Sequence, residues 1–573
     1  MTVTAENPPL PGESEPGESE PGGSEPEASV SQASAPEGSA PDESDLVWEP
    51  PGPGSWELLA DHYPRPVTAV MRGWPATWSR AFTDSLHELA LPIDAAEMAL
   101  VNDIPYAAFH SKGDQVPPRW VMHVLLRVVP PMRRAEKVLD RAITGRIWLD
   151  HARQWYDTDR PAIVADQRRL TRVDPDALAD ADLADHLHLV EQRMFEHGYR
   201  HIAMGMPDLL AVGLFVIACE DWGIPPAESF GLLAGSSPAS TGRHPELLRL
   251  RETLAGAPPP GSLDEIRSVS DAARTALDDY LEVHGHRVVD GYDVDCATLV
   301  ERPDLVVRLA TAPDPVDPLA GRDEATAAVR ARVPADRRAD FDRMLDDARA
   351  SYGLRDDNNA ILVGWAVGLT RRAMLAAGRR LIVGDGAEGD ADLAAEATIP
   401  ELVGALTGGT GLDVDELRRR RDRRRSLPSS RAPRTLGPPA NPSPTNWPGR
   451  LGAVMRIFAL YELGGDQDRP LEGIGIGDRP FTGRARIVRG GIDGGEFEPG
   501  DVLVAPMTSP SYNVLLSLAG AVVTEEGGLL SHAAMMAREL ALPAVLNVGR
   551  ATELIADGAT VTVDPTTGRV TVH

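Results

Sequence analysis

The chain has 573 residues, 42% of them hydrophobic, which is too long for one ordinary core and enough for two or three domains. Its net charge of −29 argues against general affinity for nucleic acid or an anionic membrane. With only two cysteines, Cys219 and Cys296, there is no disulfide framework, and a reducing, cytoplasmic setting is the simplest expectation.

Residues 1–47 contain PGESEPGESEPGGSEPEASV, and the first fifty residues hold twelve Asp or Glu with no Lys or Arg. Such a stretch buries too little to offset its ordering entropy, so a disordered acidic tail is expected. No basic patch followed by an apolar stretch marks a secretory leader, and no apolar run reaches the length of a bilayer span.

From 48 to 407 the pattern is mostly helical. In LADHLHLVEQRMFEHGYRHIAMG, Leu183, Leu187, Val190 and Met194 recur at helical spacing. His197 and His201 sit four apart, a spacing that can place two imidazoles on one metal, with His186 and His188 earlier in the same helix. No third ligand accompanies them, so a polar helix face is favoured and no metal is expected. Trp56, Trp74, Trp78 and Trp120 suit either core or an apolar ligand site. Residues 408–469 run from a basic helix end, LRRRRDRRRS, through a Pro/Ser-rich connector to a short helix, RLGAVMRIFALYEL. The charge run reads as a solvated face. Residues 470–573 switch to short strands (TGRARIVR, DVLVAP, GAVVT, PAVLNV, ATVTVD, GRVTVH) with helices at YNVLLSLAG and SHAAMMAREL, a compact α/β unit ending in a hairpin at DPTTGR.

The chemistry concentrates in VVTEEGGLLSHAAMMARELALPAV, residues 522–545. Thr524 ends an apolar strand, Gly527 and Gly528 allow close backbone approach, and Ser531 stands where a helix N-cap belongs. His532 then occupies the first helical turn, where unpaired N–H groups and the helix dipole favour an anion. Imidazole is a neutral nucleophile near pH 7 and can carry phosphoryl as phosphohistidine. Thr524, Gly527, Gly528, Ser531 and Arg538 are the expected phosphate cradle around a catalytic His532. A plain helix cap beside an incidental histidine is the competing reading of Ser-His alone.

The full pattern, T-x-x-G-G-x-x-S-H-A-A followed by A-R-E and P-A-V, resembles the mobile phosphohistidine domain of phosphoenolpyruvate-utilising enzymes, as does the upstream GIGIGDRPFTGRARIV. The resemblance implies that His532 is phosphorylated and that the domain swivels between two active sites. Further upstream, LADHYPRPVTAVM, VNDIPY, GLLAGSSPAST, YLEVHGHRVVDGYDVD and TRRAMLAAGRRL resemble, in order, the acceptor-substrate domain of rifampicin phosphotransferase-like proteins. The fold class implied is multidomain, α and α/β: a helical acceptor domain (48–407), a linker (408–469) and a swivelling β/β/α phosphohistidine domain (470–573).

His62, His286, Arg287 and Asp293 are the candidate acceptor-site residues, with His284 beside them; a histidine there would deprotonate a hydroxyl and the arginine would hold phosphate. Many relatives carry glycine and glutamate after the His-Arg pair, whereas this chain has Val288 to Asp293 there. The sequence holds no G-x-x-x-x-G-K-[ST], and its two lysines, Lys112 and Lys137, lie outside any glycine-rich loop. It also lacks the ATP-grasp region of the rifampicin phosphotransferase type and a phosphoenolpyruvate-binding barrel. No cofactor is therefore expected on this chain itself. ATP and Mg would act through a separate ATP-grasp donor protein, and a small molecule would be the acceptor. The alternative is a non-catalytic regulatory or interaction protein that retains the phosphohistidine domain.

Overall fold

The computed structural model describes residues 46–573 except 60–61, 64, 92, 112–116, 238–243, 290, 313–318, 320, 383–390, 428–430, 440–446, 462–470, 489–496, 510–511 and 530. The expected tail thus lies outside the described residues but for its last two.

A small antiparallel sheet opens the region that reads as mostly helical. Its strands are β1 (Trp56–Leu58), β2 (Ile93–Val101), β3 (Ile104–Ser111) and β4 (Thr435–Leu436), in the order β2-β3-β1-β4. The VNDIPY segment is the β2–β3 hairpin, turning at Asn102 and Asp103 with φ of 53° and 59°. Left-handed Asn and Asp are what a two-residue hairpin turn favours. Helix α1 (Trp74–Glu88) packs on this hairpin and on the long helix described next.

Helices α2 (Arg160–Thr171) and α3 (Asp180–Asp221) follow, the latter 42 residues long. Leu183, Leu187, Val190 and Met194 are all buried, as their spacing requires. Helices α4 (Pro245–Leu254), α5 (Asp271–His284), α6 (Arg338–Tyr352), α7 (Leu354–Asn358) and α8 (Trp365–Leu381) complete the part of the fold that bears on function. Contrary to the sequence reading, α3 and the helical run Ala335–Leu381 each contain an 18-residue stretch long and apolar enough to cross a bilayer, with mean hydropathies of 2.1 and 1.3. Their apolar windows are 56% and 78% buried inside the fold, so core packing accounts for their composition. Of the four tryptophans, Trp56, Trp74 and Trp78 are core and Trp120 is exposed.

The basic run forms α9 (Val414–Ser426), capped by Asp413. It is not simply a solvated face, because Arg424 is buried in ion pairs with Glu396 (2.8 Å) and Asp295 (2.7 Å). Arg420 pairs with Glu401 and Glu416. The chain after α9 adds β4 to β1 and packs Leu427, Ala432 and Leu436 against Trp56 and Tyr106. Helix α10 (Gly449–Tyr461) then leads to the last unit.

That unit holds β5 (Ile474–Ile476), β6 (Phe481–Ile487), β7 (Val502–Ala505), α11 (Asn513–Leu516), β8 (Ala521–Thr524), α12 (His532–Glu539), β9 (Ala544–Leu546), β10 (Thr560–Asp564) and β11 (Arg569–Val572). The sheet order is β11-β10-β6-β7-β8-β9-β5, with β6 to β9 parallel and the outer strands antiparallel. Strands β7, β8 and β9 are buried at every residue, as parallel strands covered on both faces must be. The DPTTGR turn joins β10 to β11 as a hairpin. One apolar cluster unites Leu250, Leu277 and Leu305 of the helical region with Leu503, Leu516, Ala534 and Met536 of this unit. Helix α12 therefore lies between its own sheet and the helical region.

Candidate functional site

The parallel strands β7 and β8 end side by side, and ligands of open α/β sheets collect at such carboxyl ends. Thr524 closes β8, is fully buried, and its Oγ1 has no hydrogen-bond partner. The turn after it is tied down by its backbone: the Glu525 amide donates to the Ala505 carbonyl, and the Glu526 amide to that of Pro506. The Glu525 carboxylate accepts from Thr552 N–H (2.7 Å) and Oγ1 (2.8 Å), and Glu526 pairs with Arg434. Gly527 has φ of +125°, and a Cβ there would lie 2.8 Å from Ser531 Oγ. Only glycine fits that backbone beneath the cap. Ser531 is the N-cap of α12, accepting from the Ala534 amide at 3.3 Å.

His532 is the first residue of α12 and is half-buried. Its Nδ1 lies 3.0 Å from Thr508 Oγ1, and its Nε2 lies 2.8 Å from Asn513 Oδ1. With the Asn513 carbonyl accepting, the ring proton sits on Nε2 and the Thr508 hydroxyl donates to Nδ1. Turning over the Asn513 amide reverses both assignments. The ring thus lies at a helix N-terminus, with hydroxyl and amide groups on either side. Thr508 follows β7 and Asn513 opens α11; neither was singled out by the sequence. Arg538 is turned elsewhere: it donates to the Leu529 and Ala534 carbonyls and lies over the Phe230 ring, 4.8 Å from its centroid. It ties α12 to the helical region and to the loop ahead of Ser531.

Residues 497–568 match the mobile domain of PEP-utilising enzymes. Residues 242–356 match the fourth domain of rifampicin phosphotransferase. A rifampicin phosphotransferase from Streptomyces sp is 30% identical over 57% of this chain and 38% of its own length. The phosphoenolpyruvate synthase of Escherichia coli (strain K12) is 41% identical over 20% of this chain and 14% of its own. The chondramide synthase cmdD of Chondromyces crocatus is 27% identical over 77% of this chain and 12% of its own. The chain therefore spans well under half the length of these curated relatives.

The mobile domain meets the helical region through Glu539, the last residue of α12. Its Oε2 accepts from the Gly235 amide at 2.9 Å, while its buried Oε1 has no partner. Burial pushes this carboxyl up to about 8, opposed by the amides of Gly235, Ser236 and Ser237. A raised carboxyl pKa means that the contact holds its proton more tightly than free Glu539 would. Its contribution is full below the ordinary glutamate range and is lost as pH rises through about 8. Between those limits the equilibrium for releasing α12 is expected to rise by up to about tenfold per pH unit. Small-angle scattering from pH 5 to 8.5 checks this, and Glu539→Gln is expected to abolish the slope.

The acceptor candidates fall into separate settings. His62 stacks on Tyr292 with ring centroids 5.4 Å apart. Burial pushes His286 down to about 4, helped by the Arg372 charge. Burial likewise brings Arg287 down to about 10, with Asp357 opposing, and its Nε is buried without a partner. His284 contacts Glu246 at 3.3 Å and stacks on Tyr280. Asp293 accepts from Thr68 Oγ1 (2.6 Å), Thr68 N–H (2.8 Å) and the Val294 amide (2.6 Å). It clamps the segment ahead of α1, and burial pushes it up to about 6. His197 and His201 take amide partners on Gln167, Asn358 and Asn359. Among the described residues no three metal-ligating side chains converge.

Proposed function

We propose that this chain is a phosphotransferase component in which His532 receives a phosphoryl group from a separate ATP-grasp protein, using ATP and Mg there. It passes that group to a hydroxyl of a small molecule bound by the helical region. The observation that carries this reading is the imidazole of His532 at the N-terminus of α12, bracketed by Thr508 and Asn513. A ring nitrogen attacks the terminal phosphorus of the donor; the P–N bond forms as the P–O bond to the leaving diphosphate breaks. The acceptor oxygen later attacks phosphorus, the P–N bond breaks, and the hydroxyl proton balances the charge left on the imidazole. Backbone N–H groups at the helix end and the unpartnered Thr524 hydroxyl stabilise the phosphoryl oxygens meanwhile. Arg287, with its unpartnered Nε, and His62 remain the candidates for the acceptor side. The two cysteines are unbridged, which suits the cytoplasmic setting of this reading.

The test is incubation of the purified chain with terminally labelled ATP, alone and with candidate ATP-grasp proteins. Acid-labile label on the chain only when both proteins are present is the expected result. Strong labelling of the chain alone overturns the separate donor.

A further inference from the structure

Both ring nitrogens of His532 are engaged. Nδ1 lies 3.0 Å from Thr508 Oγ1, and Nε2 lies 2.8 Å from Asn513 Oδ1. The contact at Nε2 stands against reaction whichever way the Asn513 amide is turned. With its oxygen toward the ring, Nε2 carries the proton and has no lone pair to offer. With its nitrogen toward the ring, the Nε2 lone pair accepts an N–H. The same holds at Nδ1, where the Thr508 hydroxyl either accepts the ring proton or donates to the lone pair. A nucleophile needs a free electron pair, so one of the two partners has to leave before a P–N bond forms.

The two partners are not equally free to go. Thr508 follows β7 and is buried, with 2% of its surface exposed. Its hydroxyl, pulled from the ring, would lose a hydrogen bond and find no water in exchange. Asn513 opens the short helix α11 and is half-buried. Among the described residues its carboxamide has no partner besides His532. Turned outward, it exchanges the imidazole for water at little cost. Nε2 is therefore the nitrogen that can be uncovered. With the Nδ1 proton donated to Thr508 Oγ1, the Nε2 lone pair then points to where the carboxamide had been.

We infer that Asn513 caps the nucleophile: its carboxamide covers Nε2 of His532 in the resting chain and turns aside before phosphorus is attacked there. The inference rests on the proposed function for the role of His532, and on the hydrogen bonds alone for that of Asn513. As the Nε2 lone pair forms the P–N bond, the bond from phosphorus to its leaving group breaks and the electron pair departs with that group. Nδ1 keeps its proton against Thr508. The covered state lowers the rate in proportion to its population.

The test uses phosphoramidate, which transfers phosphoryl to imidazole and releases ammonia, so no donor protein is needed. Labelling of the full chain is followed by phosphorus NMR, beside His532→Ala to subtract the other histidines among its 14. Phosphorus on Nε2 is expected; phosphorus on Nδ1 would overturn the inference, and this arm needs no Asn513 variant to fold. Asn513→Ala removes the cap and is expected to speed labelling of His532 by about fivefold, the worth of one neutral hydrogen bond. Asn513→Asp is expected to slow it by at least about tenfold, because a carboxylate only accepts, holds the proton on Nε2 and repels the arriving group. A merely structural role would move both variants the same way. Equal rates in the three folded chains, or slowing in both variants, would overturn the cap. Label that persists undiminished in His532→Ala would defeat the proposed function as well, whereas label lost there yet indifferent to Asn513 would defeat this inference alone.

Discussion

A His532→Ala chain is expected to take up no acid-labile phosphate under conditions that label the native chain, while keeping its fold. The loss should be complete rather than graded, because a nucleophile that forms a covalent bond has no substitute within reach on α12: the residues that follow it in the first turn are Ala533 and Ala534. Stability should change by no more than about 1 kcal/mol, since the ring is half-buried and its hydrogen bonds to Thr508 and Asn513 join neutral groups. The chemistry of the label is part of the prediction. A phosphoramidate is lost in acid and survives base, whereas phosphoserine or phosphothreonine does the reverse, so the lability profile separates His532 from Ser531 or Thr508. Label of equal amount and equal acid lability on the alanine chain would assign the phosphate to another histidine.

The second large effect concerns the joint between α8 and the segment that follows α5. Gly368 of α8 lies so close to the His286 backbone that a Cβ would stand 1.7 Å from its carbonyl oxygen, 2.8 Å from its carbonyl carbon and 3.0 Å from Thr298 Cγ2. The first two are backbone atoms and cannot rotate aside. Gly368→Ala must therefore push a buried helix off the core, at an expected cost of about 4 kcal/mol or more. At Gly404, in the helix Ile399–Leu406, an added methyl group would meet nothing within 4 Å. Gly404→Ala is therefore expected to be neutral or to stabilise by about 0.5–1 kcal/mol through helix propensity. Thermal unfolding of the two variants side by side checks the contrast. Equal melting temperatures would show that the 286–288 segment yields, and with it the setting of Arg287.

Much of the C-terminal unit was legible because its signals are local. The central strands β7, β8 and β9 are short apolar runs bounded by glycine or proline, and the cap at Ser531 with the turn at Gly527 spans only a few residues. Thr508 and Asn513 were not legible. They lie 24 and 19 residues before His532, and only the parallel pairing of β7 with β8 brings them to the ring. In the helical region the long amphipathic segments were clear, whereas the β2–β3 hairpin was hidden because its turn, Asn102–Asp103, contains no glycine. Asp356 to Asn359 resembles a surface turn in composition. Its burial comes from packing against other elements, and no local residue pattern announces the partners that Asn358 and Asn359 give His201. Arg424 likewise reads as one of many solvated arginines until Glu396 and Asp295 are seen to enclose it.

Thr508, Asn513 and His532 all belong to the same folded unit, so any displacement of that unit carries the imidazole together with both groups that orient it. Donor and acceptor centres would then be presented with one pre-set reagent, its bearing fixed in transit. Discrimination between the two half-reactions would fall to the walls against which this cartridge is seated.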